Sequence, residues 1–191
     1  MTEPTHITPI TIKDLEDMEA HGHICEIVDG QWVNSAEEKM AGELHGAIAT
    51  NLIIALGSYA KAHALGRVYP ADMTYILDAD EHGIQLMRLP DVSFVAANRV
   101  KTHDRETYYQ LAPDLAIEII SPSERAGAVR AKLKDYLRTG VRQVWHVYPE
   151  TRKVLVHHAD GTTHTYTTGQ TIPGADVLPG FELLVAAIFD V

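Results

Sequence analysis

The chain has 191 residues, 46% hydrophobic and 22% charged, with one cysteine and a formal net charge of −10. These figures predict one domain over residues 1–191 with an ordinary apolar core, and exclude a disordered chain, an internal disulfide and a cysteine-cluster metal site. The longest apolar run, Leu183 to Phe189, falls short of a membrane span, and the N-terminus lacks a secretory pattern, so a cytoplasmic protein with no membrane partner is expected.

Thr11 to Asp14 reads as a capping box opening a short helix to about Ala20, and residues 1–20 read as an N-terminal extension. Ile24 to Val33 predicts a hairpin turning at Asp29-Gly30. Ser35 to Glu38 is a second capping box, expected to open a long helix over residues 36–64 that Gly66 closes. Along it Met40, Leu44, Ile48, Leu52 and Leu56 step by four on one face. Short strands follow at Arg67–Tyr69, Thr74–Leu77, Ile84–Met87 and Asp91–Val95, then a polar loop at Asn98–Gln110.

Asp114 to Ile120 predicts a buried strand. Ser123 is placed to cap a helix over residues 124–139, and Gly140 to stop it. Gln143 to Val147 reads as a strand. Val154–His158 and Thr163–Thr167 read as a hairpin across Asp160-Gly161, and residues 181–189 fit strand or helix. The order predicts an α+β or mixed α/β fold, a central mixed sheet flanked by helices.

Charge is unevenly spread. Residues 1–46 carry ten acids against Lys13 and Lys39. Residues 124–142 carry six basic residues, among them Arg125, Arg130 and Lys134, against Glu124 and Asp135. An overall acidic chain argues against general nucleic-acid binding, so any phosphate contact is expected on this segment.

Glu118 sits inside an apolar strand, where an acid is costly unless paired or metal-bound. Asp114 shares its face but lies roughly 13 Å away at 3.3 Å per residue, too far to share one ion. Asp91, which opens its own strand after Pro90, can meet Glu118 if the two strands are neighbours. Two carboxylates plus water suit Mg²⁺. Lys132 falls on the edge of the Val129, Leu133, Tyr136 and Leu137 face of its helix, toward the sheet. From there it can orient a water or stabilise charge on a phosphate. As a helix-edge residue it is expected to matter little for stability. The histidine pairs His21/His23 and His157/His158 lack a ligand spacing and read as surface residues.

Arg88-Leu-Pro-Asp91-Val-Ser-Phe-Val, Ala112-Pro-Asp-Leu-Ala-Ile-Glu118-Ile-Ile-Ser-Pro-Ser123, Lys132-Leu-Lys-Asp-Tyr136 and Gly140-Val-Arg-Gln-Val-Trp145-His-Val together resemble the Uma2 family, domain of unknown function 820. Glu26-Ile-Val-Asp-Gly30 and Glu43-Leu-His45 match its N-terminal half, and the resemblance covers about residues 24–190. It implies a restriction-endonuclease-like core of the PD-(D/E)xK type and a metal-dependent endonuclease acting on DNA. It implies Asp91, Glu118 and the Ile119 carbonyl as ligands of Mg²⁺ or Mn²⁺, and a catalytic lysine moved from position 120 to Lys132. Glu43 and His45, on the first long helix, and Asp72 are candidate supporting groups. Family members usually carry acids where Ala128, Gln143 and Tyr148 stand. The alternative is therefore a non-catalytic binding or assembly module with a residual metal site. A homodimer is expected, from the symmetry of duplex cleavage and from an apolar tail, Phe181 to Phe189, that needs a cover.

Overall fold

The computed structural model describes residues 8–21, 25–34, 42–100 and 108–191. The first capping box closes as expected. Asp14 accepts from the Thr11 amide at 2.7 Å and gives its own amide to Thr11 Oγ1, starting helix α1 (Ile12–Ala20). α1 is no detached extension. Leu15 and Ile10 pack on Ile27, Ile76, Ile84 and Met87 in a small core of their own.

Strands β1 (Cys25–Val28) and β2 (Gln31–Asn34) form the expected hairpin. Asp29 and Gly30 both take positive φ, 50° and 69°, as a two-residue turn of this hand requires. The second capping box, Ser35 to Glu38, lies outside the described residues. The described helix, α2, spans Glu43–Ala62 and buries Ile48, Leu52, Leu56 and Ala60. Leu44 is 50% exposed, so the buried row starts one turn later than its four-residue spacing suggested.

Gly66 does not close this helix. The left-handed residue after it is Ala64 (φ 52°), and Gly66 opens strand β3 (Gly66–Pro70). A Cβ at Gly66 would stand 2.1 Å from the Val95 carbonyl oxygen, so glycine is demanded there by the approach of the next strand.

The remaining elements are β4 (Tyr75–Asp80), β5 (Gly83–Arg88), β6 (Val92–Ala96), β7 (Leu115–Ile119), α3 (Ala126–Arg138), β8 (Gln143–Tyr148), β9 (Lys153–His158), β10 (Thr163–Thr167), β11 (Thr171–Pro173), β12 (Glu182–Leu184) and α4 (Val185–Ile188). The α3 cap is Arg125 rather than Ser123, with no side-chain cap bond. Gly140 does take the left-handed turn beyond α3, at φ 97°. The segment 181–189 is both strand and helix in succession. Of the polar loop, residues 101–107 lie outside the described residues, and Tyr109 forms an isolated bridge to Tyr75.

The expected central mixed sheet is present, and a second, four-stranded sheet and a two-stranded pair, β11-β12, accompany it. The larger has the order β10-β9-β8-β7-β6-β3, and the smaller β2-β1-β5-β4. All neighbours are antiparallel except β7 and β8, which are parallel and joined through α3. The two faces of the larger sheet divide by residue parity. Leu115, Ile117 and Ile119 join Trp145, Val147 and the α2 row in the main core. Ala116 and Val144 pack against Tyr136 of α3 on the opposite face. The apolar tail also belongs to the main core, with Phe181, Leu183, Val185, Ile188 and Phe189 all buried in it. It needs no second copy to cover it.

Candidate active site

The chemistry-bearing residues meet where α3 crosses between the two sheets. β6 and β7 pair in the register Val92↔Ile117, Ser93↔Ala116, Phe94↔Leu115. One further step sets Asp91 opposite Glu118. Both are buried, Glu118 to 1% exposure. Asp91 Oδ2 accepts the Ile119 amide at 2.7 Å, and its Oδ1 lies 3.2 Å from His45 Nε2. Glu118 Oε1 accepts the Tyr136 hydroxyl at 2.7 Å, and Lys132 Nζ stands 3.5 Å from Glu118 Oε2.

Lys132 is also 3.1 Å from Glu26 Oε1, and its side chain is 16% exposed. Glu26 Oε2 in turn binds Arg88 at 2.6 Å, and the other arm of the Arg88 guanidinium reaches Asp135 of α3. Register explains this partner too. Ile27 pairs Met87, so one step back sets Glu26 opposite Arg88 on the α3 side of the smaller sheet. A continuous chain thus runs Asp135–Arg88–Glu26–Lys132–Glu118–Tyr136.

The electrostatics follow from burial and neighbours. Burial disfavours the Lys132 ammonium, but Glu118 and Glu26 outweigh it and raise its pKa above the ordinary lysine value. Arg88 behaves alike, with Glu26 and Asp135 overcoming its burial. Burial and Glu118 push the Tyr136 hydroxyl well up, so it stays a donor. Lys132 is therefore a fixed cation, able to donate to an oxyanion and unable to act as a base near neutrality.

The four carboxylates of Glu26, Asp91, Glu118 and Asp135 face three permanent cations, Arg88, Lys132 and Arg138. Asp91 and Glu118 offer hard carboxylate oxygens, each held by a second partner, which suits Mg²⁺ or Mn²⁺. Among the described residues no three His, Cys, Asp or Glu side chains converge as a ready cage. Mg²⁺ does not require one, since one or two carboxylates and water suffice.

Sequence reading brought Asp91, Glu118, Lys132 and His45 to one place, and here they are together. It missed Glu26, Arg88 and Asp135, and took Tyr136 for plain core. Glu43 is exposed in the first turn of α2, where an acid complements the helix N-terminus. Asp72 does not reach the site. It lines a cleft of about 340 Å³ with Leu15, Met18, Cys25, Trp32 and Met87. Cys25 and Met87 alternate with Glu26 and Arg88 along β1 and β5, so that cleft is on the opposite face of the smaller sheet.

Arg125, Arg130 and Lys134 are exposed along α3, as is Ala128. Gln143 is buried and accepts the Trp145 indole N–H at 3.1 Å, a packing role. His157 is not a surface residue. It is buried, and its Nε2 lies 3.2 Å from Nδ1 of buried His146, which sits beside Glu118 in the β7–β8 ladder. Burial, His157 and Lys132 hold the His146 pKa down to about 3.

The model of the Uma2 family, described as "Putative restriction endonuclease", matches residues 12–186. Among solved structures, the chain is similar to a crystal structure of a "putative nuclease belonging to DUF820" from Anabaena variabilis ATCC 29413. The two share 19% sequence identity at a TM-score of 0.76, over 95% of this chain and 98% of the other. That likeness establishes the restriction-endonuclease-like fold. None of the curated proteins matches the chain.

Proposed function

Because the chain belongs to the Uma2 family, we propose that it is a metal-dependent endonuclease of the PD-(D/E)xK type, hydrolysing DNA phosphodiester bonds in the cytoplasm. The observation that carries this reading is Lys132, half-buried, bridging Glu26 of the smaller sheet to Glu118 of the larger and held cationic beside a carboxylate that stands opposite Asp91. Asp91 and Glu118, with the Ile119 carbonyl, would hold Mg²⁺ or Mn²⁺. Such an ion supplies charge neutralisation at the phosphate and a more acidic bound water.

The chain's own residues do the rest. Lys132 presents its ammonium to the charge that builds on the phosphate oxygens. Tyr136 fixes the rotamer of Glu118, and the Ile119 amide fixes that of Asp91. Arg88 holds Glu26 in place as the second anchor of Lys132. Arg125, Arg130 and Lys134, on the outer surface of α3, supply phosphate contacts along the duplex. A homodimer remains part of the proposal on symmetry alone, since two related sites cut two strands. Light scattering giving a mass of 21.1 kDa rather than twice that would remove it.

A second reading, a binding or assembly module with a residual metal site, draws on the lack of a three-donor cage among the described residues. Incubation with plasmid and single-stranded DNA, with and without Mg²⁺ or Mn²⁺, separates the two. Cleavage that needs the ion and is lost in Glu118→Gln supports the nuclease. Ion binding without cleavage of either substrate supports the module.

A further inference from the structure

The smaller sheet has a second face, and the cleft of about 340 Å³ that opens on it is built unlike the site between the sheets. Trp32 of β2 stands opposite Ile27 of β1, and Ile27 opposite Met87 of β5, so the three side chains share the face on which Leu15 of α1 packs. Four residues after Leu15, and so on the same side of α1, Glu19 also lines the cleft. The volume falls in the range of small-molecule sites. Trp32 is 38% exposed, a large aromatic ring left partly in water at the wall of a mostly apolar cleft.

The charge around this ring has one sign. Glu19 and Asp72 line the cleft, and among the described residues no lysine or arginine does. The Tyr108 hydroxyl donates to Glu19 Oε2 at 2.9 Å and so holds that carboxylate at the cleft. Burial, Glu19 and Glu16 push the Tyr108 hydroxyl up, which keeps it a donor. A neighbouring hollow that shares Trp32 adds Asp14 and Asp17. Apolar walls bearing charge of one sign focus the field into the space between them.

We propose that this cleft binds a small organic cation, an apolar aromatic body carrying one ammonium group. The body fills the space over Leu15 and Met87, the cation meets the face of the Trp32 ring, and Glu19 and Asp72 balance its charge. An anion would meet two carboxylates with nothing to offset them, and a neutral ligand would leave the field unused. The inference stands apart from the nuclease reading, since Glu26 and Arg88 lie on the other face of the same strands.

The test uses the full chain and three probes of one shape: phenethylammonium chloride, neutral 2-phenylethanol and sodium 3-phenylpropionate. Calorimetry gives the affinities. Trp32 reports occupancy by its fluorescence, because the second tryptophan, Trp145, is fully buried in the main core. The cation should bind about tenfold or more tighter than the alcohol, and the carboxylate more weakly than either. In the double variant Glu19→Gln/Asp72→Asn, both positions being exposed, the advantage of the cation should fall to about threefold or less while the alcohol binds as in wild type. The fluorescence change should vanish in Trp32→Phe, and added NaCl should narrow the cation's advantage in wild type.

Equal affinity for cation and alcohol overturns the proposal, as does a lack of binding by all three probes. So does an advantage that survives the double substitution or is indifferent to salt, or a fluorescence change that persists in Trp32→Phe and therefore belongs to Trp145.

Discussion

Two Pro-Asp dipeptides, Pro90-Asp91 and Pro113-Asp114, sit at opposite ends of the same antiparallel strand pair and meet different fates. Each aspartate directly precedes its strand, β6 or β7. Each accepts the main-chain N–H of the last residue of the other strand, Asp91 from Ile119 and Asp114 from Ala96. The backbone arrangement is thus close to two-fold. The surroundings are not. Asp114 is met by Arg99 at 2.8 Å and Arg142 at 3.6 Å, and its charge is spent on holding loops together. Asp91 stands opposite a second carboxylate and beside a histidine. The motif makes a buried, well-held carboxylate, and the opposing residue decides whether it is structural or chemical.

The sharpest way to break that comparison is to neutralise each aspartate. Asp91→Asn should lower cleavage by about 10³-fold with little change in stability. Asp114→Asn should cost about 1–3 kcal/mol in urea denaturation while the rate per folded molecule holds. Loss of cleavage in Asp114→Asn without destabilisation would show that the two ends had been wrongly told apart.

Next in size is Lys132, which tests whether the Asp91 end is also structural. Lys132→Ala strands Glu118 and Glu26 in a buried setting, so unfolding free energy should fall by about 3–5 kcal/mol. This reverses the small effect expected for a helix-edge lysine, because the side chain is enclosed between two sheets. A denaturation midpoint equal to that of wild type would refute the enclosure.

Acid titration sharpens the contrast further. His146, beside Glu118, titrates at about 3 when folded. In the unfolded chain it protonates near 6.5, so the unfolded state takes up the proton first as pH falls. Its contribution to stability is full above pH 6.5 and is lost progressively down to about pH 3. Below pH 6.5 wild type should lose stability more steeply than His146→Gln, by roughly 1.4 kcal/mol per pH unit. Parallel pH curves for the two proteins would contradict this.

The smallest effect belongs to the outer face of α3. Lys134→Ala should leave stability within about 0.5 kcal/mol and reduce the salt slope of DNA binding by about one charge. An unchanged slope in a fluorescence anisotropy titration would take this face out of the DNA contact.

Glu118 was legible because a carboxylate within Leu-Ala-Ile-Glu-Ile demands a partner, and Asp91 chiefly because Arg88-Leu-Pro-Asp91 resembles the family pattern. Lys132 was legible from helical periodicity. Glu26 and Arg88 were not, for two reasons. Cys25–Val28 is too short for parity to declare a face, and Ile84–Met87 stopped one residue before the arginine. Their pairing also joins β1 to β5, strands distant in sequence whose register nothing local specifies. The separate four-stranded sheet was hidden for the same reason. His157 looked superficial because only its neighbour across the sheet, His146, reveals which way it faces.

The placement of α3 has a consequence for how the molecule comes into being. β7, α3 and β8 are contiguous in the chain and can assemble as a unit, but Lys132 then has only one of its two carboxylate anchors. Glu26 arrives when the N-terminal hairpin docks, and Arg88 and Asp135 lock it there. A nascent or partly undocked chain would carry the acids of the larger sheet while its lysine swung loose. Completion of the Lys132 anchorage would then wait on docking of the N-terminal hairpin.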